Sequence, residues 1–268
     1  MRVEKTKKIF FIPGMWSSGD VFSEYLQFAS KRGYEGEVAE LYRGQEDKFA
    51  GLGRIGLSDY VEQVGRDINI LSRGKKYFVL GHSLGGLIAM IAASRKIIQP
   101  EAMVLLIPAA PRGIPSMTIS VMRSFSQIFA KTLWRREQAS ISFAKACYAF
   151  FELVPICHRW RIFQNFVPES SRVIEEVGLW FFDKTKSSEV IGQNISCNVL
   201  VIAATQDRII PAKVVKKTFR KLDREVPIGF RVDYREFPHA HWILSEPGWE
   251  EVIGFILSWL EEDFSPSS

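Results

Sequence analysis

The stretch that decides the fold is YFVLGHSLGGLIAMIAASR, residues 77–95. Residues 77–80 are aromatic or aliphatic and predict a buried strand, and residues 84–95 predict a helix. Between them GHSLG, residues 81–85, fits the pattern G-x-S-x-G, in which glycines permit a sharp turn from strand to helix. The stretch therefore predicts a strand, a tight turn that exposes the hydroxyl of Ser83, and a helix.

Strand and helix patterns alternate on both sides of this stretch. The further strands are predicted at residues 7–12, 38–42, 102–107, 199–204 and 230–237, and the further helices at residues 19–31, 58–74, 212–222 and 249–262, with Ser58 as an N-cap. Such alternation predicts an α/β fold, with a mostly parallel sheet covered by helices on both faces.

The alternation stops between residues 111 and 190, which we call the inserted segment. It has no strand pattern and is mostly amphipathic helix, with 13 of the 34 aromatic residues, 11 basic residues and 7 acidic ones. Residues 1–110 and 191–268 are therefore expected to form one core, and residues 111–190 a helical insertion that carries most of the net charge of +5.

Composition excludes several classes of protein. The 268 residues are 47% hydrophobic and 24% charged, which is typical of a globular chain. The apolar runs are shorter than the ~20 residues of a membrane span, and no secretory signal is recognisable, so a cytoplasmic location is expected. A net charge of +5 without a basic run argues against nucleic acid as a partner.

Cofactor and metal sites are not expected. Three cysteines and four histidines lack metal-ligand spacing. GLGRIG, residues 51–56, fits the dinucleotide pattern G-x-G-x-x-G, but neither a preceding strand nor a suitable acidic residue accompanies it. We interpret residues 51–56 as a flexible loop.

A serine hydroxyl is a weak nucleophile at neutral pH, so Ser83 needs a base and a carboxylate that orients the base. Asp207 follows the predicted strand 199–204, and His241 follows the strand that ends near residue 237. Because parallel strands end at the same edge of a sheet, we expect these three side chains to converge there.

With these residues in this order, the chain resembles the α/β-hydrolase superfamily, and FFIPGMW at residues 10–16 adds to the likeness. The resemblance covers nearly the whole chain, loosely in the inserted segment, and implies a serine hydrolase of the esterase or lipase type with a helical cap. It implies an oxyanion hole made by the backbone N–H groups of Met15 and Leu84. Family members often have His-Gly where this chain has Pro13-Gly14, a change that leaves a backbone donor in place.

Other side chains compete for the same roles. His239 is the alternative base, but Trp242 and the EPGW of residues 246–249 favour His241. Asp183 and Asp233 are alternative acids, for which a surface or packing role is favoured.

The expected reaction is hydrolysis of a carboxylic ester with an apolar acyl or alcohol group, including lipids such as a monoacylglycerol, through an acyl-enzyme on Ser83. Thioesters, lactones, carbon–carbon bonds beside a carbonyl and perhydrolysis stay open, as does a ligand-binding receptor with the same fold. The sequence predicts no oligomeric state. The side chains expected to line the substrate pocket are Trp16, His82, Phe125, Phe129 and Trp242.

Overall fold

A parallel sheet forms the centre of the molecule. The computed structural model describes residues 7–41, 51–116 and 137–264. The strands are β1 Lys7–Ile12, β2 Tyr34–Val38, β3 Tyr77–His82, β4 Ala102–Leu106, β5 Gln138–Ala139, β6 Glu169–Ser170, β7 Asn198–Ala204 and β8 Val232–Phe237. Within these described residues, six strands pair in the order β2-β1-β3-β4-β7-β8, all parallel, which confirms the predicted fold class.

The helices of the described residues are α1 Ser23–Lys31, α2 Leu57–Ser72, α3 Leu84–Ser94, α4 Phe143–Ala149, α5 Ile156–Phe163, α6 Ser171–Gly178, α7 Ala212–Glu225 and α8 Trp249–Phe264. Among them, α1, α2, α3 and α7 contact strands of this sheet. Every residue of α3 is buried, which explains why this helix is apolar on all sides. In the part of the chain that the structure describes, no helix is both long and apolar enough to span a membrane.

The position of the second strand was predicted wrongly. We expected it at residues 38–42, but β2 begins at Tyr34. Gly33, with φ +81°, ends α1 abruptly and turns the chain directly into the sheet. Tyr34 is then buried against Phe78 of β3, with ring centroids 6.2 Å apart.

The start of α2 also differs from the prediction. Its N-cap is Gly56, whose N–H donates to the Asp59 carboxylate at 2.7 Å, whereas Ser58 accepts from Arg95 at 3.0 Å. Residues 52–54 of the preceding glycine-rich stretch form a short 3₁₀ helix that contacts α6, so this stretch is packed rather than loose.

The inserted segment contains more than helices. Its β5 and β6 form a two-stranded antiparallel ladder, although no strand was predicted there. Two-residue strands are too short to give a hydrophobic periodicity. Buried carboxylates join the segment to α2, because Glu169 accepts from the Tyr60 hydroxyl at 2.7 Å and Glu176 from the N–H of Leu57 at 2.6 Å.

Candidate active site

Ser83 lies in a strained turn between β3 and α3. Its φ of +54° and ψ of −117° are unfavourable for a residue with a side chain, which typically costs ~1–3 kcal/mol. Backbone hydrogen bonds hold the turn, with the Ser83 N–H donating to Leu106 at 3.0 Å and the Ser83 carbonyl accepting from Ala109 at 2.9 Å. The serine hydroxyl is thereby fixed at the carboxyl edge of the sheet.

The glycines of the turn are required by close approach of the backbone. A Cβ on Gly81 would lie 2.4 Å from the carbonyl oxygen of Gly85, and a Cβ on Gly85 would lie 2.0 Å from the carbonyl oxygen of Ile12. Neither position has room for a side chain, so α3 can pack directly against the ends of β1 and β3.

The structure brings Ser83, Asp207 and His241 together. The Nε2 of His241 lies 3.2 Å from the Oγ of Ser83, and its Nδ1 lies 2.7 Å from Oδ2 of Asp207. All three residues are buried. Because a carboxylate only accepts, the His241 Nδ1–H is the donor, which leaves Nε2 as the acceptor for the serine hydroxyl.

The other oxygen of Asp207 is also bonded. Its Oδ1 accepts from the N–H of Ile209 at 2.6 Å and from the N–H of Ile210 at 2.9 Å. These two donors fix the plane of the carboxylate. The loop after β7 therefore presents an oriented carboxylate to His241.

The competing acids are engaged elsewhere. Asp183 accepts from the hydroxyls of Thr185 at 2.6 Å and Ser187 at 2.5 Å, within the inserted segment. Asp233 accepts from the Trp259 indole N–H at 2.6 Å on the outer part of the sheet. Both carboxylates have local structural partners, in accord with the packing roles favoured for them.

His239 points to a different partner from His241. Its Nδ1 lies 3.2 Å from Oε2 of Glu246, a carboxylate with no exposed surface. Two residues further along, the ring of His241 faces Ser83 instead.

His82 contacts the backbone of His241, which with Ser83 and Asp207 forms the candidate catalytic triad. Its Nε2 lies 3.0 Å from the carbonyl oxygen of His241, so Nε2 carries the proton and donates. Burial, reinforced by the nearby His241, lowers the pKa of His82 to about 3. The ring is consequently neutral at physiological pH, and its Nδ1 is buried without a partner among the described residues.

Ser83 and His241 lie at the wall of an apolar cavity of about 90 Å³. Of the predicted pocket residues, Trp16, His82 and Trp242 line it, whereas Phe125 and Phe129 lie outside the described residues. Within the described ranges, no group of three or more His, Cys, Asp or Glu side chains is arranged to hold a metal ion.

The sequence profile of the alpha/beta hydrolase family matches residues 9–253. The chain belongs to this family. No curated protein matches the chain in sequence.

Solved structures of the alpha/beta hydrolase fold superpose on almost the whole chain. A monoacylglycerol lipase from Paleococcus ferrophilus is 18% identical, with a TM-score of 0.68 over 96% of this chain and 94% of the lipase. An extracellular α/β-hydrolase from a Paenibacillus species is 16% identical, with a TM-score of 0.71 over 94% and 98%. Tomato methylketone synthase I bound to 2-tridecanone is 14% identical, with a TM-score of 0.69 over 96% and 98%. At these identities the likeness concerns the fold.

The two residues expected to supply the oxyanion hole of this alpha/beta hydrolase line the same cavity as Ser83. Met15, in the loop after β1, and Leu84, the first residue of α3, both line the cavity. Within the described part of the chain, neither amide N–H donates to a backbone or side-chain acceptor.

Several cavity residues of this family member were missed by the sequence reasoning. Phe150, at the end of α4, has its ring centroid 5.3 Å from that of His241. Ile174 and Val177 come from α6, and Ile209 follows the acid. Phe150 belongs to a recognisable aromatic run at residues 148–151, but no local pattern tells which ring of such a run points to the site.

Proposed function

We propose that this protein is a serine hydrolase that cleaves a carboxylic ester with an apolar acyl or alcohol group. The observation that carries the proposal is the hydrogen-bonded chain from Ser83 through His241 to Asp207 at the wall of an apolar cavity. Membership of the alpha/beta hydrolase family supports hydrolytic activity. Fold alone does not define a reaction, so the proposal rests on these side chains.

The proposed reaction begins when Ser83 Oγ attacks the ester carbonyl and His241 Nε2 takes the hydroxyl proton. Asp207 stabilises the imidazolium that forms, since its Oδ2 already accepts from Nδ1 at 2.7 Å. Collapse of the tetrahedral intermediate breaks the carbon–oxygen bond to the alcohol, which leaves with the proton from His241. Water then attacks the acyl-enzyme, with His241 again as base, and releases the acid and the free serine.

Negative charge on the tetrahedral oxygen needs donors that are already oriented. In our proposal the N–H groups of Met15 and Leu84 supply them, because both residues line the cavity and neither N–H donates a backbone hydrogen bond within the described residues. Loss of one such donor typically costs ~10²–10³-fold in kcat.

We also propose that the inserted segment acts as a cap on the site. Its Phe150 faces the ring of His241, and its Glu152 lies 2.5 Å from Arg208, the residue after Asp207. Its Val167 N–H donates to the carbonyl of Trp16 at 3.0 Å. The segment thus contacts the loops after β1, β7 and β8, and its aromatic side chains favour an apolar substrate group, including that of a lipid.

The test is a panel of p-nitrophenyl esters of increasing acyl length, with thioester and lactone members, and labelling by a fluorophosphonate. We expect ester turnover and labelling in the native protein and loss of both in Ser83→Ala. Ser188→Ala is the matched control, because Ser188 is fully buried but hydrogen-bonds to the carbonyl of Glu176, outside the triad.

Absence of turnover in the native protein, or undiminished turnover in Ser83→Ala, would refute the hydrolase proposal. Tight binding of an ester without turnover would instead support a receptor-like function. Faster turnover of the thioester or lactone members would change the proposed substrate class but not the proposed catalytic roles of Ser83, His241 and Asp207.

A further inference from the structure

A buried carboxylate holds the loop that carries His241. Glu246 has no exposed surface, and both of its oxygens accept hydrogen bonds from this loop. Oε2 accepts from the N–H of Ala240 at 2.8 Å and from Nδ1 of His239 at 3.2 Å, while Oε1 accepts from the N–H of Trp242 at 3.1 Å. The two backbone donors are the immediate neighbours of His241 on either side.

We propose that Glu246 is a positioning residue, which fixes the backbone around His241 so that its ring meets both Ser83 and Asp207. This inference rests on the proposed function, because it gives His241 the role of base. Glu246 is not among the described residues that line the cavity, and its hydrogen bonds go to His239, Ala240 and the backbone N–H of Trp242. Its effect on the site therefore passes through the loop.

Two further hydrogen bonds, which do not involve Glu246, also fix the backbone of this loop. His82 donates to the carbonyl of His241 at 3.0 Å, and the N–H of Gln206 donates to the carbonyl of His239 at 2.9 Å. Gln206 directly precedes Asp207, so the acid loop and the histidine loop are tied together. Of these contacts, those of Glu246 alone bridge the backbone on both sides of His241.

The triad geometry leaves little tolerance for movement of this loop. The Nε2 to Oγ distance of 3.2 Å is already at the long end of the hydrogen-bond range. A displacement of about 1 Å at a reacting group typically costs ~10²-fold in rate. A small relaxation of the loop would therefore lower kcat without removing any residue from the cavity.

Glu246→Gln is the informative substitution because it keeps the shape of the side chain and replaces one acceptor oxygen with a donor. If the amide nitrogen takes the place of Oε2, it faces the N–H of Ala240, and if it takes the place of Oε1, it faces the N–H of Trp242. His239 can adapt by changing tautomer, but a backbone N–H cannot. One neighbour of His241 therefore loses its acceptor in either orientation.

The experiment measures kcat and KM of Glu246→Gln with the best p-nitrophenyl ester of the native enzyme. We expect kcat to fall ~10- to 100-fold while KM stays within about threefold, because the substitution replaces no side chain that lines the cavity. The matched control is Glu169→Gln, since Glu169 is also fully buried and accepts from the Tyr60 hydroxyl and from the N–H of Ser170, two donors that lie outside the histidine loop. Its kcat should stay within about threefold of the native value.

A spectroscopic readout separates positioning from loss of folded protein. The downfield proton resonance of the His241 Nδ1–H reports its bond to Asp207, and we expect it to shift or broaden in folded Glu246→Gln and to persist in Glu169→Gln. If the glutamine variant does not fold, Glu246→Asp, which keeps the charge but withdraws the oxygens by one methylene, gives the same readouts.

A folded Glu246 variant with native kcat and an unchanged resonance would overturn the inference. An equal loss of kcat in Glu169→Gln would also overturn it, because the effect would then belong to any buried carboxylate. A native protein without ester turnover would refute the proposed function instead, so the two failures are distinguishable.

Discussion

Asp207→Asn should inactivate the enzyme because it changes the tautomer of His241. The asparagine side chain has nearly the same shape as aspartate, so the structure of the site should not change. Oδ1 of Asp207 accepts two backbone N–H groups, at 2.6 and 2.9 Å, so the amide oxygen of asparagine must occupy that place. The amide nitrogen is then directed at Nδ1 of His241, which lies 2.7 Å from Oδ2 in the native chain. Because two donors cannot face each other, Nδ1 becomes the acceptor and the ring proton moves to Nε2.

An imidazole with its proton on Nε2 cannot take the proton of Ser83. From the effect of the same substitution in Ser-His-Asp enzymes, we expect kcat to fall by ~10⁴-fold. This corresponds to about 5 kcal/mol of activation free energy. Hydrolysis of a p-nitrophenyl ester, followed together with thermal unfolding, measures the loss and checks that the variant is folded.

The matched control is Asp233→Asn, because Asp233 was the alternative acid and bonds to Trp259 and Arg231. Its kcat should stay close to the native value. An Asp207→Asn variant that retained more than about a tenth of the native kcat would refute the tautomer argument, because a tenfold loss is only about 1.4 kcal/mol.

Three further predictions concern stability and specificity. His82→Gln, which keeps a donor at the position of Nε2, should flatten the pH dependence of the free energy of unfolding. The pKa of His82 is about 3 in the folded protein and lower than in the unfolded chain, so the native protein loses up to ~1.4 kcal/mol of stability per pH unit between about pH 6.5 and pH 3. Urea unfolding at several pH values measures this loss in the native protein and in the variant. Gly85→Ala should yield little folded protein, since its Cβ would lie 2.0 Å from a carbonyl oxygen. Gly254→Ala on α8, where nothing lies within 4 Å of the new Cβ, should instead stabilise the folded protein by ~0.5–1 kcal/mol. Equal yields and equal unfolding midpoints of the two variants would contradict this prediction. Phe150→Leu should enlarge the cavity beside the histidine of the triad and shift the preference towards longer or bulkier esters, seen as a change in relative kcat/KM across the panel; an unchanged ranking would place the substrate elsewhere.

The sequence was most informative where a local pattern has one structural solution. The turn at Ser83 needs glycine on both sides, and the buried strands need continuous apolar runs, so β3, α3, β4 and β7 were predicted to within one or two residues. Asp207 and His241 could be proposed because each follows the carboxyl end of a parallel strand. Their distances from Ser83 depend on strand order, which local patterns do not contain.

The sequence was least informative where contacts between distant residues determine the position of an element or the partner of a side chain. β2 starts at Tyr34 because Tyr34 packs on Phe78, a contact across 44 residues of chain. Ser58 is a good N-cap residue by type, yet Arg95, the residue that follows α3, donates to its hydroxyl. The role inferred for Glu246 was also missed, because a carboxylate within a Glu-Pro-Gly turn does not show which backbone amides it will meet.

The place of the inserted segment in the topology explains how it reaches the site. It leaves the core after the carboxyl end of β4 and returns to the amino end of β7, which pairs with β4 in the sheet. Ala109 and Ala110, where the chain leaves the core, line the cavity themselves. The segment therefore starts at the carboxyl edge of the sheet, next to the turn of Ser83, and at this edge its Phe150 meets His241. Sequence changes in the segment can therefore alter the shape of the cavity while the geometry of Ser83, His241 and Asp207, which the core loops set, stays the same.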